Sequence, residues 1–256
     1  MTEPYCGVAP SPIDWLSRWN WDPVLIATLA VLASLHVAVL VRDEGSQRAQ
    51  RLGLAVAAWT LFAAIFISPL CALTSALFSA RVAHHVILIA FAAPMLVASM
   101  PQRWRMFDFN RIAAFGVLGS VVHMVLLWLW HAPAPYAAAL ADTGLFWVME
   151  LSLLVSAMLL WMSVLAPSSK LGTTLGVLLG TVVQMGLLGA VITFARVPLY
   201  APHIAVTEPW GLSALQDQQL AGLIMWVPAS LPYLIAALAL LGRRMQRAIV
   251  ADEAMP

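Results

Sequence analysis

The sequence predicts an all-α integral membrane protein, a single bundle of seven transmembrane helices. Two observations support this: 62% of the 256 residues are hydrophobic and only 10% are charged, and the apolar residues fall in seven long stretches. A water-soluble domain is about one quarter charged, so the composition argues against soluble enzymes, nucleic-acid-binding proteins and disordered chains. The stretches do not alternate in polarity, as the strands of a membrane β-barrel would.

Each stretch is long enough to cross a hydrocarbon core about 30 Å thick, which takes about 20 helical residues. Helices are expected because lipid offers the backbone no hydrogen-bonding partners. Short links leave no room for a soluble domain, so we divide the chain into an outer N-terminal segment (1–22), one membrane domain (23–241) and a cytoplasmic tail (242–256). Pro94 in the third span, and Pro228 and Pro232 in the seventh, are expected to kink their helices. In order, the spans occupy residues 23–41, 53–72, 83–101, 113–131, 146–166, 172–195 and 219–241.

The basic residues predict which side of the membrane each link faces. Ten lie in the links after the first, third and fifth spans and in the C-terminal tail, whereas Arg18, Arg81 and Arg196 lie on the opposite side. Cytoplasmic links are enriched in Lys and Arg, so the C-terminus is predicted inside and the N-terminus outside. Cys6 and Cys71 then both face the oxidising side, where a disulfide is permitted, although the sequence does not show that they meet.

Most of the ionisable residues in the spans lie toward the outer side. Such groups are costly at membrane depth and point to function. Imidazole and thioether together suit copper, particularly Cu(I). The sequence therefore predicts a copper site on the outer side. Its expected ligands are His85, His123, His131 and Met225, with His84, Glu150, Asp217 and Gln218 in support.

Plainer interpretations stand beside this one. Asp217 and Glu150 could each favour the positive end of their own helix. His84 and His85 are adjacent and point about 100° apart on a helix, so we do not expect both to face one site, and one is expected at the lipid–water boundary. His203 is expected to be a solvated loop residue. His36, alone on an apolar helix, is expected to be a hydrogen-bonded packing residue.

Three motifs follow one another along the chain. They are Ser68-Pro69-Leu70…Leu77-Phe78-Ser79-Ala80…His85…Ala93-Pro94…Pro101, then His123…Leu127-Trp128-Leu129-Trp130-His131-Ala132-Pro133…Tyr136, and then Trp210-Gly211-Leu212-Ser213…Asp217-Gln218-Gln219-Leu220-Ala221-Gly222…Met225-Trp226. In this order and spacing they resemble the multi-pass CtaG-like cytochrome c oxidase assembly factors. The resemblance covers the chain from about Trp21 onward, and the last motif is its most specific part.

The resemblance implies a non-enzymatic protein of the bacterial plasma (inner) membrane that helps to assemble a haem–copper oxidase. Its implied task is to hold or deliver copper for the CuB centre of subunit I. The implied partners are subunit I or other assembly factors within the lipid bilayer, and no nucleic acid. The residues that match the family's motifs are His85, His123, His131, Asp217 and Met225.

Two positions depart from the family's pattern. Arg81 stands where the family usually has a histidine four residues before His85, and Cys71 stands where an aspartate commonly follows Ser-Pro-Leu. Other functions stay open: a membrane copper transporter, a haem-binding protein or a purely structural assembly scaffold. The apolar inner halves of several spans argue against a transporter. A retinal photoreceptor is excluded because Lys170, the only lysine, lies in a link and could not form a buried Schiff base.

Overall fold

The structure is a computed structural model that describes residues 3–101, 116–166 and 169–253. Within these ranges it is all-helical and contains no strand. Short 3-10 turns cover Trp15–Ser17, Ala201–His203, Glu208–Trp210 and Pro228–Ser230. The helices are α1 (Pro23–Val41), α2 (Arg48–Phe66), α3 (Leu70–Ala76), α4 (Phe78–Ser99), α5 (Gly116–His131), α6 (Pro133–Ala141), α7 (Thr143–Leu165), α8 (Leu171–Thr193), α9 (Ala214–Trp226) and α10 (Leu231–Glu253).

Six of the described helices are long and apolar enough to cross a membrane: α1, α2, α4, α7, α8 and the continuous pair α9–α10, counted as Ala214–Gln246. A seventh candidate is the pair α5 and α6, which qualifies only when taken together and is bent by 73°. The prediction of an all-helical, multi-pass membrane protein is therefore confirmed, with six or seven spans. The start of the fourth predicted span, and three basic residues of the link before it, lie outside the described residues.

Several helix ends form where the sequence supplies a capping residue. Asp22 caps α1 and precedes Pro23, whose missing amide hydrogen costs nothing in the first turn. Asp142 caps α7. Ser213 and Gln216 form a reciprocal capping box at the start of α9. These caps satisfy amide groups that lack partners inside their own helices.

Two proline-containing segments depart from regular α-helix. In α4, residues Ile87–Ala92 are π-helical just before Pro94, and the indole of Trp161 donates to the carbonyl of Ile89 at 3.0 Å. Between α9 and α10 the chain passes through a 3-10 turn that begins at Pro228. Both irregularities lie inside predicted spans, as expected where proline removes a backbone donor.

The segment before α1 is tied to the bundle. A disulfide joins Cys6 to Cys71 at the start of α3, which completes a pairing that the sequence left open. The ring of Tyr5 stacks on Phe146, with centroids 4.8 Å apart, and its hydroxyl donates to Asp22 at 2.6 Å. This hydrogen bond lowers the pKa of Asp22. The N-terminal segment is therefore a packed part of the structure.

Helices α8 and α9 approach each other at two glycines. A Cβ on Gly189 would lie 2.7 Å from the carbonyl oxygen of Gly222, and one on Gly222 would lie 2.6 Å from the carbonyl oxygen of Gly189. Small residues allow this close approach between membrane helices. Met185 on α8 and Met225 on α9 each lie about one turn from this contact, and both line the same small cavity.

Candidate metal site

A buried carboxylate, that of Glu150 on α7, lies at the centre of a polar cluster inside the bundle. Arg81 Nη1 and His85 Nε2 lie 3.2 and 3.3 Å from its Oε1 atom, and His84 Nε2 lies 3.3 Å from its Oε2 atom. None of these four side chains is more than 3% exposed. The guanidinium of Arg81 also lies 5.1 Å from the ring centroid of Phe146. The positive charge of Arg81 therefore compensates the negative charge of the buried Glu150 carboxylate.

The two adjacent histidines on α4 both contact this carboxylate and are buried, so the expectation that one lies at the lipid–water boundary is wrong. Only His85 lines the cavity described below. His84 approaches one oxygen of Glu150 and His85 approaches the other. Their ring planes are 85° apart, as their angular separation on a helix leads one to expect. The carboxylate lies between the two directions and has two oxygens, so it serves both rings. Neither ring lies at the lipid boundary.

A third imidazole reaches the cluster from His131, the last residue of α5. Its Nε2 atom lies 3.5 Å from His85 Nδ1, and its Nδ1 atom lies 2.8 Å from the carbonyl oxygen of Leu127. A carbonyl oxygen only accepts hydrogen bonds, so His131 Nδ1 carries the proton. By the same reasoning, His85 Nε2 donates to the Glu150 carboxylate.

When both rings are neutral, these tautomers leave lone pairs on the two nitrogens that face each other, His85 Nδ1 and His131 Nε2. Two lone pairs at 3.5 Å repel unless a proton or a cation lies between them. A carboxylate or carbonyl that holds the far nitrogen of an imidazole is the usual outer partner of a metal-binding histidine. The two rings therefore have the arrangement of a ligand pair.

His85 and His131 line a cavity of about 10 Å³ together with Met185 and Met225. This is about the volume of one small probe sphere. Imidazole nitrogens bind ions such as zinc at about 2.0–2.1 Å, so two of them 3.5 Å apart would subtend about 115–120° at an ion. That angle leaves coordination positions for thioether sulfurs. The remaining lining is apolar: Val82, Val86, Ile89, Leu127 and Ala229.

Among the described residues, no three His, Cys, Asp or Glu side chains are arranged to hold a metal ion. Any metal bound in this cavity would therefore depend on two imidazoles and on the sulfurs of methionine. That donor set is soft and uncharged. It suits Cu(I) and is unlike the cysteine and carboxylate sets that zinc usually recruits.

His123, a third predicted ligand, is not brought to this cavity. It lies two turns along α5 from His131, about 12 Å at 1.5 Å per residue. Its Nδ1 atom lies 2.9 Å from the hydroxyl oxygen of Ser156 on α7. Both side chains are buried. The structure therefore gives His123 a contact between α5 and α7, apart from the other two imidazoles.

The two polar residues at the start of α9 hold the surrounding backbone. Asp217 accepts hydrogen bonds from the amides of Phe78 and Ser79, at 2.6 and 3.2 Å, and from the Ser79 hydroxyl. It therefore caps α4, the helix that carries the histidines. Gln218 accepts from the amide of Leu199 at 2.6 Å. Both residues support the cluster through the backbone and neither lines the cavity.

His203 is buried, so the expectation of a solvated loop residue is wrong. It is 1% exposed. Its Nδ1 atom lies 3.2 Å from the carbonyl of Ala76, and its Nε2 atom lies 2.7 Å from the hydroxyl of Tyr136. Burial lowers the pKa of His203 to about 4, because the charged ring would lose its hydration, and the hydrogen bond to Ala76 offsets this lowering only in part.

His36 is a packing residue, as predicted. The indole of Trp59 donates to its Nδ1 atom at 3.2 Å, and the hydroxyl of Ser99 lies 3.4 Å from its Nε2 atom.

Two residues of the cluster were not among the predicted site residues. Arg81 was counted as a charge in an outer link, but it lies in the first turn of α4 and is 1% exposed. It lies four residues before His85, which places both side chains on one helix face. This spacing could have identified Arg81 as a site residue from the sequence. Met185 carries no such signal, because methionine in an apolar span is ordinary.

The helical architecture and the buried cluster define a multi-pass membrane protein whose polar side chains are gathered inside the bundle, toward the end where α7 begins. The family model of the cytochrome c oxidase caa3 assembly factors (Caa3_CtaG) matches residues 33–247. The chain belongs to this family, which confirms the resemblance of its three motifs. Comparisons with curated proteins and with solved structures find no match.

Proposed function

We propose that the chain is a non-enzymatic copper chaperone of the bacterial inner membrane, which holds Cu(I) between His85 and His131 and delivers it to the CuB centre of oxidase subunit I. The observation that carries this proposal is the approach of two buried imidazole nitrogens, His85 Nδ1 and His131 Nε2, to 3.5 Å beside two methionines. Thioether sulfurs of Met185 and Met225 would complete the coordination, since both residues line the same cavity. Membership of an oxidase assembly family supports the destination of the copper.

The charge balance of the cluster favours a monovalent ion. Arg81 compensates Glu150, and the imidazoles and thioethers that line the cavity are neutral ligands. A Cu(I) ion would add one net charge to this environment, whereas Cu(II) or Zn(II) would add two. Uncompensated charge is costly in a medium of low dielectric constant, and thioethers prefer the softer ion.

Two observations support an outer location for the site. The basic links predict that the C-terminus is cytoplasmic, and the burial of Arg81 in α4 leaves only Arg18 and Arg196 as basic residues of outer segments. The disulfide between Cys6 and Cys71 requires an oxidising compartment at that end of the bundle. With this orientation, copper would enter from the outer face and leave by ligand exchange to a subunit docked in the membrane.

The geometry is less favourable for the other functions that the sequence left open. A cavity of about 10 Å³ accommodates an ion and is far too small for a porphyrin. A transporter needs a polar route onward, but Ile89, Leu127 and Ala229 line the cavity beyond the two histidines. A purely structural scaffold is the remaining alternative, and it predicts that the histidines are dispensable for copper.

The test is copper quantitation on purified protein loaded with Cu(I) without oxygen. We expect one copper per chain in the wild type and its loss in His85→Ala and His131→Ala. His123→Ala is the matched control, because it removes an equally buried imidazole outside the cavity, and we expect it to retain copper. Equal copper in all four proteins, or none in the wild type, would contradict the proposal. Oxidase activity and CuB occupancy in cells that carry each variant then test delivery.

A further inference from the structure

Helix α1 packs on α2 and leaves a gap beside α7. The gap is a cavity of about 320 Å³ with walls from α1, α2, α4 and α7. Its side chains are almost all apolar, and Leu29, Phe62, Trp147 and Leu154 are typical of them. Cavities of about 300–1,000 Å³ lined in this way are the usual size and character of ligand sites.

A second cavity of about 280 Å³ continues the first toward the other face of the membrane. The two share Leu32, Trp59 and Leu96, and the second ends near His36 and Met100. Together they form one groove along α1, here called the α1 groove. From Val24 to Val39 it follows 15 residues of helix, or about 22 Å. That length suits an extended hydrocarbon chain within one bilayer.

The α1 groove is open to the lipid side and is polar at only one end. Val24, Leu32 and Leu151 line it and are 71%, 47% and 53% exposed, so a chain could enter sideways from the bilayer. At the outer end, Asp22 and Glu150 are among the residues that line the groove. Glu150 is buried, with Arg81 and His84 at 3.2 and 3.3 Å from its two oxygens, so Asp22 supplies the uncompensated negative charge at this end.

We propose that the α1 groove binds a phospholipid with a primary ammonium head group, such as phosphatidylethanolamine. The acyl chain would lie along α1, and the ammonium would lie at the outer end near Asp22. Charge complementarity selects this head group: the carboxylate of Asp22 at the outer end repels an anionic lipid, and a primary ammonium supplies hydrogen-bond donors that a quaternary ammonium lacks. This inference is independent of copper binding.

The test is native mass spectrometry of the purified full-length chain incubated with equal amounts of phosphatidylethanolamine, phosphatidylcholine and phosphatidylglycerol. We expect the ethanolamine lipid to be retained about fivefold over the glycerol lipid, the size expected of one solvent-exposed charge pair. Leu29→Trp and Leu154→Trp each fill the groove and should abolish retention. Val183→Trp places the same bulk on an exposed face of α8 and should leave it unchanged.

A separate variant tests the head group. Asn is as good a helix cap as Asp, so Asp22→Asn keeps α1 capped while it removes the charge. We expect it to retain lipid but to lose most of the preference for ethanolamine over glycerol head groups. If both tryptophan variants retain as much lipid as the wild type, the α1 groove is not the binding site. Equal retention of the two lipids by the wild type, or a co-purifying protein helix in place of lipid, would overturn the proposed ligand.

Discussion

Glu150 sets the tautomer of His85, and substitutions of Glu150 test this role. Its Oε1 atom accepts from His85 Nε2 and so leaves the lone pair of Nδ1 facing His131. Glu150→Gln still offers an oxygen that accepts this hydrogen bond, whereas Glu150→Leu offers none. We therefore expect the leucine variant to lose copper affinity and the glutamine variant to keep most of it.

The magnitude follows from two contacts. Loss of an outer partner of a metal-binding histidine typically costs about 10–100-fold in affinity, or about 1.4–2.7 kcal/mol. Removal of the carboxylate also leaves Arg81, which is 1% exposed, without its counter-charge. That orphaned charge would cost about 3–5 kcal/mol of stability and could mask the effect on copper. Both variants are therefore made in an Arg81→Met background, which removes the orphaned charge from each equally.

The assay is an anaerobic competition titration with a Cu(I) chelator on the two double variants and on the wild type, because all three carry no uncompensated charge from the Arg81–Glu150 pair. Thermal unfolding in detergent confirms that the three proteins are equally folded at the titration temperature. We expect Arg81→Met/Glu150→Gln to bind copper within a few-fold of the wild type, and Arg81→Met/Glu150→Leu to bind about 10–100-fold more weakly. If the leucine and glutamine variants bind copper equally, Glu150 does not set the tautomer of His85 and the reasoning fails.

Three further predictions concern the frame around the site. Gly222→Ala should destabilise the protein by about 1–3 kcal/mol and lower its copper content, because the new methyl group would meet the backbone of α8 at Gly189. A variant that is as stable as the wild type and binds as much copper would refute the close contact. The pKa of His203 is about 4 when folded against 6.5 for an unperturbed ring, so the unfolded state binds the extra proton first as pH falls from about 6.5 to 4. Stability should therefore drop by about 2 kcal/mol between pH 7 and pH 5, and thermal unfolding should show that His203→Gln loses this component. Cys6→Ser and Cys71→Ser should each lower the free energy of unfolding by about 4 kcal/mol, since the disulfide joins residues 65 apart. The reduced wild type should match both variants in chemical denaturation. An unchanged free energy of unfolding in all three proteins would contradict the pairing.

The helices and the family were accessible from the sequence because they depend on local properties. Long apolar stretches identify spans wherever they pack, and the three motifs are strings of consecutive residues that can be matched without a fold. The pairing of His85 with His131 was also within reach. Both lie toward the same side of the membrane, and the alternation of spans places them at similar depth. Helix ends differed by a few residues because caps such as Ser213 lie outside the apolar stretches.

The groups that the polar residues contact could not be predicted from the sequence in the same way. A carboxylate with two oxygens allows His84 and His85 to share one site although they point apart, and only the position of α7 beside α4 supplies that carboxylate. His203 is buried because the link after α8 folds over the helix ends. Loop composition does not determine such folding.

The sequence by itself determined that this chain is a multi-pass helical membrane protein of an oxidase assembly family, with imidazoles gathered toward one side. Hydrophobicity, charge and motif order are properties of the chain and need no tertiary contact. The tertiary structure decided which groups meet: Arg81 with Glu150, and His85 with His131 in a cavity that Met185 and Met225 also line. In a membrane, a buried polar group is tolerated only with a partner, and helix packing alone selects that partner.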